Sequence, residues 1–252
     1  MTKKWLLSVA LSATLLSGSV LAADTLRIGT EGAYAPYNFV NDDGKLAGFE
    51  IDLGNALCKE VDMECEFVKN DWDSIIPNLI AGNYDIIMAG MSITDERKKT
   101  IAFSDEYKAV DPSIYAALKD TKVDFEKLDG KSIGVQGSTI QASFLEEKYG
   151  KTSTIKSYGK PDQAVADLAA GNVDIMLADG EFVRTVTDGS NGMLVVVGPE
   201  EMIGGGIGIG MRQDAEKLKD TLNAGIAAMK ADGRLDEIMV KYFKDVKPYK
   251  TN

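Results

Sequence analysis

No histidine occurs anywhere in the 252 residues. That absence removes the imidazole general base, the Ser–His and Cys–His nucleophile pairs and His-ligated metals, and with them most hydrolase mechanisms. Positive charge is also scarce, with 28 Lys and Arg against 39 Asp and Glu and a net charge of −11. A phosphate backbone or an anionic lipid surface is repelled by such a chain, so nucleic acid is not an expected partner. Cysteine is limited to Cys58 and Cys65. Two thiols with no imidazole to join them fall short of the four ligands of a structural zinc site, and neither a metal nor a cofactor is expected. What is present is 44% hydrophobic and 27% charged, with mean hydropathy −0.11, the composition of a globular protein large enough for one large or two ordinary domains.

The first residues are unlike the rest. Lys3 and Lys4 precede an apolar stretch over residues 5–16, and small residues follow, ending Val20-Leu21-Ala22. This three-part pattern predicts a secretory signal over residues 1–22 with cleavage after Ala22. An anchoring helix is the alternative, but the core is shorter than the ~20 apolar residues of a membrane span and no stop-transfer pattern follows. No cysteine stands at the cleavage point, so a lipid anchor is not expected. An exported chain meets an oxidising compartment, where Cys58 and Cys65 either pair as a disulfide or remain as two buried thiols.

The chain repeats itself. LIAGNYDIIMAG at 79–90 matches LAAGNVDIMLAD at 168–179 in seven of twelve positions. Each copy reads as a helix end, a Gly-Asn stop and an apolar run too continuous for a surface strand, hence a buried strand of a parallel sheet. A weaker echo relates RIGTE at 27–31 to SIGVQ at 132–136. The two spacings differ, 89 and 105, which describes two related lobes rather than a tandem array. Helical patterns fill the intervals at 48–61, 73–81, 139–149, 162–170 and 214–242. Alternation of strand and helix predicts an α/β fold with a parallel sheet in each lobe. Crossings are expected at 110–112 and 200–203, giving a discontinuous first lobe (24–109 and 204–252), a second lobe at 113–199 and a two-segment hinge. The glycines at 204–210 have no G-x-G-x-x-G register and lead into extended chain, so they do not read as a nucleotide loop.

Ligands of such sheets bind at the carboxyl ends of the strands, which directs attention to Glu31, Gly90, Ser92, residues 136–139 and Asp179. Thr94 is placed to cap a short helix whose first turn contains Arg97, a cation opposing the dipole. Either it is solvated or paired with Asp95 or Glu96, or an anion lies nearby. Ser138 and Gln141 have the spacing of a capping box, and free N–H groups at that helix start can take a carboxylate. Arg97 from one lobe and the Ser138 and Thr139 amides from the other could clamp a single carboxylate. Asp179 ends an apolar strand and needs a cation unless it caps the next helix; an α-ammonium held with Ser92 and the Gly90 carbonyl would supply one. Tyr34 and Trp72 offer flat faces for a side chain, or pack in the core.

With these residues in place, the chain resembles the extracytoplasmic solute-binding proteins of amino-acid ABC importers, family 3, of the periplasmic-binding-protein type II fold. GFEIDLGNALCKEV at 48–61 resembles the family signature, and SITDER (92–97), IAFS (101–104) and QGST (136–139) resemble its ligand motifs. The resemblance implies a periplasmic cleft protein: Arg97, Ser138 and Thr139 on the α-carboxylate, Asp179, Ser92 and Gly90 on the α-amine, Tyr34 and Trp72 about the side chain. Glu31 stands where cationic-amino-acid binders carry an acid, and the Cys58 and Cys65 spacing resembles the disulfide of the lysine/arginine/ornithine and histidine binders. Ala89-Gly90 in place of Ser-Ser, Trp72 in place of Phe, and a turn one residue shorter before Gly137 depart from those binders; the Trp resembles opine binders. The expected partners are a small amino acid or opine and the membrane permease, with a chemoreceptor as a further candidate and the protein itself a monomer. A rival is a periplasmic dehydratase of the same fold using Glu31 or Asp179 as its acid, but no second catalytic group stands out, so an enzyme is not expected.

Overall fold

The computed structural model describes residues 24–244 and 246–249, and the signal expected over residues 1–22 lies outside them. The chain opens with β1 (Thr25–Thr30), a small antiparallel sheet of β2 (Ala33–Tyr34), β3 (Asn38–Val40) and β4 (Leu46–Ala47), and then α1 (Phe49–Glu60). β5 (Glu64–Lys69), α2 (Trp72–Ile80), β6 (Ile86–Ile87), the short α3 (Asp95–Lys98) and β7 (Ala102–Lys108) follow. Next come β8 (Ser113–Leu118), β9 (Ser132–Gln136), α4 (Ile140–Tyr149), β10 (Thr154–Tyr158), α5 (Pro161–Ala169), β11 (Ile175–Asp179), α6 (Gly180–Gly189) and β12 (Leu194–Glu201). The chain then returns through β13 (Ile207–Met211), α7 (Glu216–Asp232) and α8 (Arg234–Met239).

Two five-stranded sheets result, ordered β5-β1-β6-β13-β7 and β10-β9-β11-β8-β12. The fold is α/β as expected, yet neither sheet is purely parallel. β13 pairs antiparallel with both β6 and β7, and β8 with both β11 and β12, so one strand of five is reversed in each sheet. These are the strands entered directly from the other sheet. A strand that arrives from the cleft side must run away from it, whereas its neighbours end there. β12 continues to Glu201, still opposite Ser113, so the return link is 202–206.

Both faces of each sheet are covered. Ile86 and Met88 pack in a core with α1, α7 and α8, while Ile87 and Ala89 pack with α2 through Ile75 and Leu79. In the second sheet Met176 and Ala178 face the first of these cores, and Ile175 and Leu177 face a third containing Leu145 of α4. Alternate residues therefore all find apolar partners, which is why these strands read as unbroken apolar runs. The helix expected across 214–242 is two helices. Gly233 takes φ 91, a left-handed conformation that suits glycine and ends α7 before α8 begins. Cys58 on α1 and Cys65 on β5 form a disulfide, Cα atoms 5.9 Å apart.

Candidate functional site

Where the carboxyl ends of the two sheets meet, a half-open cavity is lined from both sides, about 310 Å³ with the solvent at its mouth included. Eight of the nine residues expected at a ligand site share its wall: Glu31, Tyr34, Trp72, Gly90, Ser92 and Arg97 from the first lobe, Thr139 and Asp179 from the second. Ser138 stands outside it and lines an adjoining groove. Ala89, Gln136, Ile140 and Gln141 complete the wall.

Arg97 lies in the one-turn α3, capped as expected by the Thr94 side chain, which accepts from the Arg97 N–H at 3.2 Å. Its guanidinium turns inward, donates to the Ser92 carbonyl at 2.8 Å and sits 5.2 Å from the Trp72 ring centroid. Asp95 and Glu96, the neighbours that could have paired with it, instead meet Lys98 and Lys99. Among the described residues no carboxylate lies within ion-pair distance of Arg97. Burial pushes its pKa down to about 10, opposed by the field of Asp179. Trp72, above it, donates its indole N–H to the Ser138 carbonyl of the other lobe at 3.1 Å.

Ser138 is not the helix cap. It adopts φ 56, and Thr139 caps α4 by accepting from the Ala142 N–H at 3.1 Å. Both hydroxyls had the local chemistry for the task, and the left-handed Ser138 puts the cap one residue later. Gln141 is thereby released from any capping box and donates to Asp179 at 3.0 Å and to Ser113 at 2.9 Å. Asp179 does not cap its helix either, because Asp111 accepts the Glu181 N–H at 3.1 Å. Its carboxylate takes the Tyr34 hydroxyl at 2.7 Å from the opposite lobe. Desolvation raises the Asp179 pKa, while the bonds from Tyr34 and Gln141 and the charge of Arg97 pull it back. The Tyr34 ring stacks on Phe182 of α6, centroids 4.4 Å apart.

Glu31 follows β1 and is 3% exposed. Gln136, its counterpart in the second echo, donates to it across the cleft at 2.7 Å. Burial lifts the Glu31 carboxyl to about 7 despite that bond, and Asp71 and Asp162 push the same way against Lys160.

One member of the site escaped sequence reasoning. Glu50 of α1 is fully buried and accepts from the Gly90 N–H at 2.6 Å, from Asn38 at 2.7 Å and from the Tyr107 hydroxyl. Asn38 in turn accepts from the Gly32 N–H at 2.7 Å. A single carboxylate thus fixes the backbone on both sides of the cavity mouth, at Gly90 with its left-handed φ of 62 and beside Glu31. The signal was available: Glu50 shares a helix face with Leu53 and Leu57, where an acid is out of place unless it is fully bonded.

Two α/β lobes linked twice, with charged groups from both converging on one cleft, define a cleft-type ligand-binding protein. The sequence profile of the bacterial extracellular solute-binding proteins, family 3, matches residues 26–245, and the chain belongs to that family. It is 35% identical to the histidine-binding periplasmic protein of Escherichia coli K12 over 96% of this chain and 97% of that one. Identity to the L-arginine-binding protein of Pseudomonas aeruginosa is 36%, covering 96% of each. A solved periplasmic His/Glu/Gln/Arg/opine family-binding protein from Silicibacter pomeroyi, in complex with lysine, is 42% identical with a TM-score of 0.81, covering 88% of this chain and 99% of that one. All three relatives are binding proteins by name.

Proposed function

We propose that the protein binds an L-amino acid with a cationic side chain, namely arginine, lysine or ornithine, in this cleft and delivers it in the periplasm to the permease of an ABC importer. The observation that carries this reading is a charge pattern: the Arg97 guanidinium, with no carboxylate at ion-pair distance among the described residues, faces the same cavity as two carboxylates, buried Glu31 and half-buried Asp179. A cationic amino acid offers the complement, one carboxylate for Arg97 and two cations for the acids, and so offsets all three desolvation costs together. The α-carboxylate would pair with Arg97 beside the start of α4. The α-ammonium would meet Asp179, with Ser92 and the Gly90 carbonyl assisting, and the distal cation would meet Glu31. The stem would lie between the rings of Tyr34 and Trp72. Export through the 1–22 signal fits this task, and the two links between lobes would serve as the hinge. Ala89 in the cavity wall leaves room that a serine would take, which favours an opine built on a cationic amino acid as the second reading.

Thermal-shift measurement with the twenty amino acids, octopine and nopaline tests both readings. Stabilisation by arginine, lysine, ornithine or an opine is expected. Stabilisation by glutamine or glutamate alone would overturn the assignment. Recovery of the ligand unchanged after prolonged incubation is expected of a binder, and its conversion would restore the dehydratase alternative.

A further inference from the structure

We propose that Gln136 is a specificity-determining residue of this cleft: its neutral amide reaches across the lobes to Glu31 and leaves the charge of that carboxylate for the ligand to neutralise. The inference rests on the cationic-ligand reading above. Gln136 ends β9 and is 7% exposed, and its side chain donates to Glu31 at 2.7 Å within the cavity wall. An amide can orient one carboxylate oxygen, but it carries no charge to offset. The surroundings do not supply the missing cation. Asp71 and Asp162 add negative field, and the nearby base, Lys160, stands 3.6 Å from Asp71 with both side chains largely in water. An exposed pair of that kind contributes little to a buried neighbour. Residue 136 therefore decides whether the far end of the cleft is charge-deficient. A cation there would saturate Glu31 internally, and an apolar residue would leave Glu31 dependent on the ligand alone.

The test is a selectivity ratio, arginine against its neutral isostere citrulline, measured by calorimetry in the wild type, Gln136→Lys and Gln136→Met. In the wild type arginine is expected to bind more tightly. Gln136→Lys should weaken arginine about 30-fold or more, the cost of a charge pair denied its partner, with citrulline little affected. Gln136→Met should widen the preference for arginine, since Glu31 loses its internal donor. A merely structural role for Gln136 would move both ligands together and leave the ratio fixed in both variants, which would overturn the inference. Wild type preferring citrulline would overturn the parent reading, and this one with it, in an arm that needs no variant. Circular dichroism checks folding of each variant. Should Gln136→Lys fail to fold, Gln136→Met decides alone, and an unchanged or smaller arginine preference there overturns the proposal.

Discussion

Arg97 points its charge into the cleft wall with carbonyl and indole neighbours but no carboxylate at ion-pair distance among the described residues. Removing it should leave the fold intact and the ligand's carboxylate unpaired, at a cost of about 2 to 5 kcal/mol. Calorimetry on a folded Arg97→Ala variant is expected to show binding lost or weakened accordingly, and affinity within a few-fold of wild type would contradict the assignment. Glu31 makes the protein sensitive to pH in two opposed ways. Its folded pKa, about 7, lies above the 4.5 of an open chain, so the free protein holds the proton that the unfolded chain releases between those values. Stability of the unliganded protein should therefore fall as pH rises from about 4.5 to 7, by about 3 kcal/mol at about 1.4 kcal/mol per unit. A cationic ligand needs the ionised form, so its affinity should fall as pH drops below 7, by up to about tenfold per unit, while citrulline stays level. Titration calorimetry at pH 5.5 and 8 separates the two. Arg97 was legible in the sequence because a cation in a first turn is anomalous; the partners of Gln141 were not, because they come from β8 and β11 and no local pattern encodes them.

At the scale of elements, the echo was a sound guide because it records a structural device. In both copies a glycine of positive φ, Gly82 and Gly171, closes the helix, and the aspartate three residues on, Asp85 or Asp174, accepts a backbone N–H of a neighbouring strand, that of Arg27 or Ser132. The positions that matter are the ones repeated. Strand direction was not legible, since an apolar run reads the same whether its neighbour is parallel or reversed. The small sheet β2-β3-β4 was also hidden, because strands of two or three residues show no periodicity. The disulfide joins α1 to β5 through a loop of seven residues in sequence separation. Replacing both cysteines with serine should cost about 2 to 3 kcal/mol in the chain-entropy model, read by denaturant unfolding, with ligand affinity unchanged because neither cysteine lines the cavity.

Across the whole molecule, a few hydrogen bonds tie the lobes together at the cleft: Gln136 to Glu31, buried, and Tyr34 to Asp179 and Trp72 to the Ser138 carbonyl, half-buried. The outer ion pairs Lys244–Asp188 and Lys160–Asp71 also span the lobes, but their side chains are well exposed to water and such pairs contribute little. Closure should accordingly respond to what fills the cavity more than to salt. Trp72 turns this into an optical property. The sequence holds two tryptophans, and the expected cleavage after Ala22 would remove Trp5, so the mature chain would carry a single indole, lodged at the seam between lobes. Its ring bears the Arg97 guanidinium and its N–H is tied to the opposite lobe, so separation of the lobes would hydrate a chromophore that closure keeps dry. Saturating arginine should shift its emission to shorter wavelength in step with calorimetric occupancy. The unlabelled protein would then serve as a fluorescent sensor of its own ligand.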